Sequence, residues 1–571
     1  MKKLRWPLLI VLVALAAIAV LLYSRQTELT PILPEEIKPA TGGVYVEGVI
    51  GSMSRLNPVL DLYNAGDHDI DRLIFSGLIR FDDHGQPVGD LAESWGISLD
   101  GTVYNFSLRP NAFWHDGEPV TSDDIIFTID LMRSDDSILS PDVRELWNTV
   151  EINRLDDKML QFRLPEPYAP FLDYLSFGIL PSHVVGDTTF ADLVNSPFNL
   201  HPVGSGPYRF ERLIVEDGQI AGVLLTVYDK YYGQRAFIEQ FVIRYYPDGQ
   251  AALAAYRNGD IMGISQITPE VLADALKEPN LRLYTGRLPE MSITFLNLDN
   301  PEVAFFKDAQ VRRALLLGLN RQWMVDRLLN GQAIIADGPI FPNTWAYFEG
   351  VEHVAFDPDA AINILKEAGY NIPAEGGDVR VGEDGLALQF ELLYPDDPQH
   401  TAIAEAMKSD WKRIGVGVTT TPIPYDELVG DFLDTRLYHA ALIDLNLMRS
   451  PDPDPYPFWH QTQVTGGQNY SKWNDFQASE YLEMARVAVD QGERIKNYRN
   501  FQVRFTQELP ALPMFYPVYT YAVDAQVQGV SMGPLFDPSE RFATVTQWFL
   551  LSKRVAVDES STEALTPTPA E

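Results

Sequence analysis

Cysteine is absent from all 571 residues. That excludes disulfides, thiolate metal ligands and cysteine nucleophiles. Positive charge is scarce: 44 Lys and Arg face 79 Asp and Glu, a net charge of −35. Such a field repels phosphate backbones, so a nucleic-acid role is not expected. The nine histidines are scattered, and none forms a short-spaced metal pair with another. There is no GxxxxGK phosphate loop, no GxSxG elbow and no HExxH. Gly204, Ser205 and Gly206 lack the helix and acidic partner of a nucleotide loop and read as a turn. No cofactor and no metal are expected.

What is present points to a large exported globule. A chain this long exceeds one core and divides into two or three lobes. Aromatic residues make up 11%. That supplies ring surface for cores and binding clefts. Lys2, Lys3 and Arg5 precede an apolar run at 6–23. Its length approaches a bilayer span, and the flanking charge leaves the body outside. Residues 1–24 therefore read as an uncleaved anchor, with a cleaved signal peptide as the alternative. Residues 25–41 read as a stalk and 554–571 as a disordered acidic tail.

The body reads as mixed α and β. Residues 103–108 alternate as a strand, with Tyr104, Phe106 and Leu108 on one face. Thr121 and Asp124 form a capping-box pair opening a helix with Ile125, Ile129 and Met132 at helical spacing. Helices are predicted at 308–318, 321–329 and 359–368, the second capped by Asn320 and the third stopped by Gly369. A strand at 386–393, a helix at 401–414 and a strand at 416–420 predict a parallel crossover.

One constellation has the residue types of catalysis: Asp452, Asp454 and His460. Two carboxylates near an imidazole can do acid–base work or hold a metal. Prolines at 451, 453, 455 and 457 force an extended path around them. The readings left open are a solvated acidic loop, an anchor for a cationic ligand group, and a surface hydrolase.

Several segments carry a resemblance. LAESW at 91–95 is followed by Asp100 and Gly101, then YNFSLRP at 104–110 and FWHDGEPVTSDD at 113–124. PVGSGPY at 202–208, YRNGDI at 256–261, VRRAL at 311–315 and LPMFY at 512–516 follow in order. This pattern, over about 42–553, resembles the peptide/nickel class of extracellular solute-binding proteins of ABC importers. The resemblance implies an α/β, two-lobed periplasmic-binding-protein-like (class II) fold with an extra domain inserted in the first lobe. Lobe I would span 42–290, with the insert at about 61–200. Lobe II would span 291–511, and 512–553 would return to lobe I.

The resemblance also implies a site between the lobes. Tyr63, Asn64, Asp67 and His68 fall in its early ligand-facing segment. Asn446, Asp452 and Asp454 fall in the segment whose Asp receives a peptide ammonium, with Trp459 nearby. Phe515 and Tyr516 fall in a lining strand that pairs with ligand backbone. The run at 443–447 lacks the family's Gly-Trp, and Asp444, Asp452 and Asp454 remain alternatives for the ammonium partner. The implied partners are a peptide or small-molecule ligand and ABC permease subunits, with the chain itself monomeric. Nickel-chelate and oligosaccharide binding, and a sensory module, are the other readings.

Overall fold

The computed structural model describes residues 13–14, 16–17, 20 and 35–556, apart from 83–84, 140, 187, 343 and 449–451. Most of the expected membrane segment at 1–24 and most of the tail lie outside the described residues. No described helix is long and apolar enough to cross a membrane. The stalk differs from expectation at its end. Glu35–Ala40 pairs antiparallel with Leu551–Ala556, Ala40 lying opposite Leu551. Backbone pairing needs no apolar pattern, so composition could not reveal this ribbon.

One sheet path runs through the molecule. From one edge it holds Gly417–Ile423, Gln389–Pro395, Ala440–Asn446 and Glu290–Leu296. It continues through the long strand Ala511–Asp524 to Gly263–Ile264, Val44–Ile50, Gln240–Tyr246, Gln219–Val227 and Tyr208–Glu216. The long strand belongs to both halves. Ala511, Leu512, Pro513 and Phe515 pair with Glu290–Leu296, while residues 518–524 pair with Leu281–Arg287. The chain also crosses between halves at Leu288 and Pro289. Two short crossings flanked by paired strand allow rigid halves to rotate about them.

Each half has its own core. Lobe I packs Tyr45, Ile70, Leu73, Tyr208, Phe241 and Trp548 together. Lobe II packs Phe306, Leu315, Met407 and Trp411 in one cluster, and Phe295, Trp473 and Phe505 in another. Here the predicted crossover is found: Gln389–Pro395 and Gly417–Ile423 pair in parallel, joined by the helix Pro398–Arg413. Trp411 is fully buried and its indole N–H donates to the Leu315 carbonyl at 2.9 Å.

A third core belongs to the insert. Four antiparallel strands, in the order Ala92–Ile97, Val103–Leu108, Met159–Arg163 and Glu151–Asp156, bury Tyr104, Phe106, Trp114, Trp147 and Phe162. The helix Ser122–Met132 opens with the predicted capping box. Asp124 Oδ2 accepts from the Thr121 amide at 2.8 Å, and its Oδ1 accepts from the Ser182 amide at 2.9 Å. Phe190, Leu193 and Phe198 join the lobe I core, as do Ile70 and Leu73. The insert's separate core is therefore shorter than the 61–200 expected from sequence.

Candidate functional site

Adjoining cavities lie along the boundary between lobes. An outer one of about 220 Å³ has walls from both sides. The insert contributes Phe81, Tyr104, Tyr168 and Asp173, and lobe II contributes Trp345, Asp452 and Arg494. The described lining of an inner one, about 250 Å³, comes from lobe I and the insert. The two share Phe81 and Asp173. Aromatic walls with a few placed polar groups suit enclosure of a small organic solute.

The proline-rich segment sits where lobe II meets the insert. The Asp452 backbone N–H donates to the Asp173 carboxylate across that boundary. Both acids are already compensated. Arg494 Nη2 lies 2.5 Å from Asp452 Oδ2, with the two side chains 9% and 3% exposed. The Arg494 guanidinium also covers the Trp345 ring at 4.8 Å. Arg486 grips Asp454 with two nitrogens, at 2.7–3.1 Å. It stacks on Tyr456 at 3.7 Å and approaches Tyr168 of the insert at 5.6 Å. Burial raises the Asp452 carboxyl, and Arg494 opposes that rise. The expectation that Asp452 or Asp454 awaits a ligand ammonium is corrected: each has an arginine counter-ion.

The catalytic constellation does not assemble either. His460 is fully buried, with Nε2 2.9 Å from Glu483 Oε1 and Nδ1 2.7 Å from Thr462 Oγ1. Its ring stacks on Tyr456 at 4.0 Å. Burial lowers its pKa. Imidazole and both carboxylates each spend their polar atoms on other partners. Asp444, the remaining candidate, accepts from Ser292 and lies 3.3 Å from His400 Nε2.

The early segment divides between architecture and cleft. Asn64 caps the helix Ala65–Ile74, its Oδ1 accepting from the Gly66 and Asp67 amides at 3.0 and 3.2 Å. Asp67, 1% exposed, accepts from the Arg55 amide at 2.7 Å and the Ser54 amide at 2.9 Å. Burial raises it to about 6. Both residues shape the loop and neither presents a free group. Tyr63 is 81% exposed. His68 lines the inner cavity, with Nδ1 2.7 Å from Asp61 Oδ2 and Nε2 3.4 Å from Asp537 Oδ2.

Three expected lining residues are core instead. Trp459 is buried against Phe295 and Phe505 at ring distances of 5.7 and 4.7 Å. Tyr516 is buried and its hydroxyl donates to the Gly338 carbonyl at 2.7 Å. Phe515 is buried, and its backbone lies between Ser292 on one side and Ile335 on the other. That stretch has no free edge for strand addition. Asn446 is exposed, and its Nδ2 donates to Glu290 Oε1 at 2.9 Å. Burial, then the Asp444 charge, pushes the Glu290 carboxyl up to about 7.

Sequence reasoning missed Asp71, Trp147, Tyr168, Asp173 and Arg494. One signal was available. Asp67, Asp69 and Asp71 recur on a helix whose other residues are largely apolar, and all three are buried. Buried acids in such a run need either counter-ions or a function.

Comparison with known proteins fits this geometry. The family described as "Bacterial extracellular solute-binding proteins, family 5 Middle" matches residues 86–469. The oligopeptide-binding protein AppA of Bacillus subtilis (strain 168) is 26% identical over 523 residues, covering 90% of this chain and 92% of its own. Its structure in complex with a nonapeptide aligns over 90% of this chain and all of that one, with TM-score 0.67 and 25% identity. NikZ from Campylobacter jejuni, in complex with Ni(L-His), aligns over 89% of this chain and 99% of its own, with TM-score 0.67 and 26% identity. The dipeptide-binding protein of Escherichia coli (strain K12) is 24% identical over 468 residues, covering 78% of this chain and 84% of its own. The fold is thus the two-lobed class II type of periplasmic binding proteins. The matched span takes in most of the insert, the crossing at Leu288 and Pro289 and the proline-rich segment, and the chain belongs to the bacterial extracellular solute-binding proteins, family 5.

Proposed function

We propose that this chain captures peptides, or a related small solute, outside the cytoplasm and delivers them to ABC permease subunits. The jaws are lobe I, residues 42–290 with 512–553, and lobe II, residues 291–511. They close by rotation about the two crossings. The observation that carries this reading is the outer cavity, whose aromatic walls come from both sides of those crossings. Peptide capture is further supported by the oligopeptide- and dipeptide-binding relatives.

The chain acts as a monomer and releases its ligand chemically unchanged, so it is not an enzyme. Residues 1–24 tether it to the membrane. On the lobe I side the ligand meets Tyr63 and His68, and on the lobe II side it meets the Trp345 and Arg494 wall. The test is to purify the chain, release bound small molecules by mild denaturation and identify them by mass spectrometry. Peptides recovered intact are the expected result. Stabilisation by sugars or nickel chelates but by no peptide would replace the peptide reading, and conversion of any ligand would replace the binding reading.

A further inference from the structure

The inner cavity holds two polar groups that the protein leaves unsatisfied. Several of its charged lining groups are paired: His68 with Asp61 and Asp537, and Arg72 Nη2 with Glu540 Oε1 at 3.2 Å. Asp71 differs. It is 2% exposed, and neither carboxylate oxygen has a hydrogen-bond partner. The Asn57 amide and the Asp61 carboxyl approach it without reaching hydrogen-bonding geometry. Burial, then the charges of Asp61 and Asp67, push its carboxyl well above the usual range. Trp147 is fully buried, and its indole N–H has no partner.

Buried polar groups are overwhelmingly hydrogen-bonded, so two orphans in one cavity wall require an explanation. A structural role is already filled two residues earlier. Asp69 is clasped by Arg541 at 2.6 and 2.7 Å, and Arg541 also holds Glu47 at 3.0 Å. Among the described residues no basic side chain does the same for Asp71. Apolar side chains, Phe75, Met132, Leu139 and Phe177, also line this cavity. A guest that satisfies this cavity carries a positive donor on an apolar body, with an acceptor beside it.

We propose that the inner cavity is the selectivity pocket of the cleft. It receives a cationic group, an ammonium or guanidinium, borne on an apolar or aromatic body. Asp71 is the counter-ion, and the Trp147 N–H donates to an adjoining carbonyl or hydroxyl of the ligand. The pocket rests on the capture reading above, and it communicates with the outer cavity through the shared walls at Phe81 and Asp173.

The test uses the full chain, calorimetry and two probe pairs. One pair is phenethylammonium and its neutral analogue phenylethanol. The other is a set of tri- to pentapeptides headed by phenylalanine, with free or acetylated amines. Wild type is expected to prefer the cationic member of each pair. Asp71→Asn is expected to weaken the cationic members about tenfold or more and leave the neutral ones unchanged. Trp147→Phe, which keeps an aromatic ring and removes the N–H, is expected to weaken the free-amine peptides several-fold. Ligand-free Asp71→Asn is expected to melt above wild type, because an uncompensated carboxylate has been neutralised.

Peptide binding with a preference that survives Asp71→Asn overturns the pocket and leaves capture standing. Phenethylammonium binding that depends on Asp71, with no peptide bound, supports the pocket and removes peptides as the cargo. Binding of neither probe, or a lower melting temperature for Asp71→Asn, overturns the pocket.

Discussion

Asp452 and Asp454 of lobe II and Asp71 of lobe I are acids treated in opposite ways. In lobe II, Asp452 and Asp454 each carry an arginine, and the pairs stand against the insert across the cleft. In lobe I, Asp71 lies in a buried wall with no counter-ion among the described residues. A compensated acid fixes geometry, because its charge is satisfied whether or not a ligand is present. An uncompensated one retains an interaction for the guest to complete. By this contrast the proline-rich segment is a jaw-to-jaw contact surface, and the proposed recognition pocket sits on the other side.

The contrast can be broken most strongly at Arg494. Arg494→Met removes the arginine that faces buried Asp452 at 2.5 Å, and is expected to cost about 3–5 kcal/mol in denaturant unfolding. Adding Asp452→Leu should restore most of that loss, since the buried carboxylate is removed with its arginine. Retention of full stability by the single variant would mean that the pair is not what holds the segment.

A pH-dependent effect comes next. Glu290 titrates near 7 in the folded chain against a usual value of 4.5. Below about pH 4.5 the carboxyl is protonated in both folded and unfolded chains, and nothing is lost. As pH rises towards 7 the unfolded chain releases its proton first, so folded stability falls, and the loss is complete above 7. Glu290→Gln is therefore expected to stabilise the chain by about 2 kcal/mol at pH 8 and to change little at pH 4. Equal effects at both pH values would contradict the assignment.

Arg486→Met removes a pair whose side chains are 25% and 14% exposed, together with its contact to Tyr456. A loss of about 1 kcal/mol is expected, and melting curves would detect it. The smallest effect is the control. Arg235 pairs with Asp229 on the surface, at 35% and 75% exposure, and Arg235→Ala should stay within about 0.5 kcal/mol of wild type.

Local rules made much of the fold legible in the sequence. The Thr121 capping box, the Tyr104 and Phe106 face and the parallel crossover at Gln389–Pro395 each depend on residues within a few positions or one helix. The motif string at 91–124 identified the family for the same reason. The site was less legible. Asp452 reads as free until Arg494, 42 positions later, folds back onto it. Asp71 and Trp147 meet in one wall only through packing of the insert against lobe I. Trp459, Phe515 and Tyr516 have the composition of a cleft but are taken up by the lobe II core. Counter-ions and cavity walls are tertiary facts, and neither periodicity nor motif order carries them.

The central claim is a hinged clamp, and the absence of cysteine makes it directly measurable. Leu155→Cys on the insert and Leu437→Cys on lobe II place two labels at exposed positions in opposite jaws, at 50% and 71% exposure. Single-molecule energy transfer between them reports jaw separation. Added peptide is expected to shift the population to one short, narrow distance and to be recovered intact afterwards. An unchanged distance distribution at saturating bound ligand would contradict the clamp.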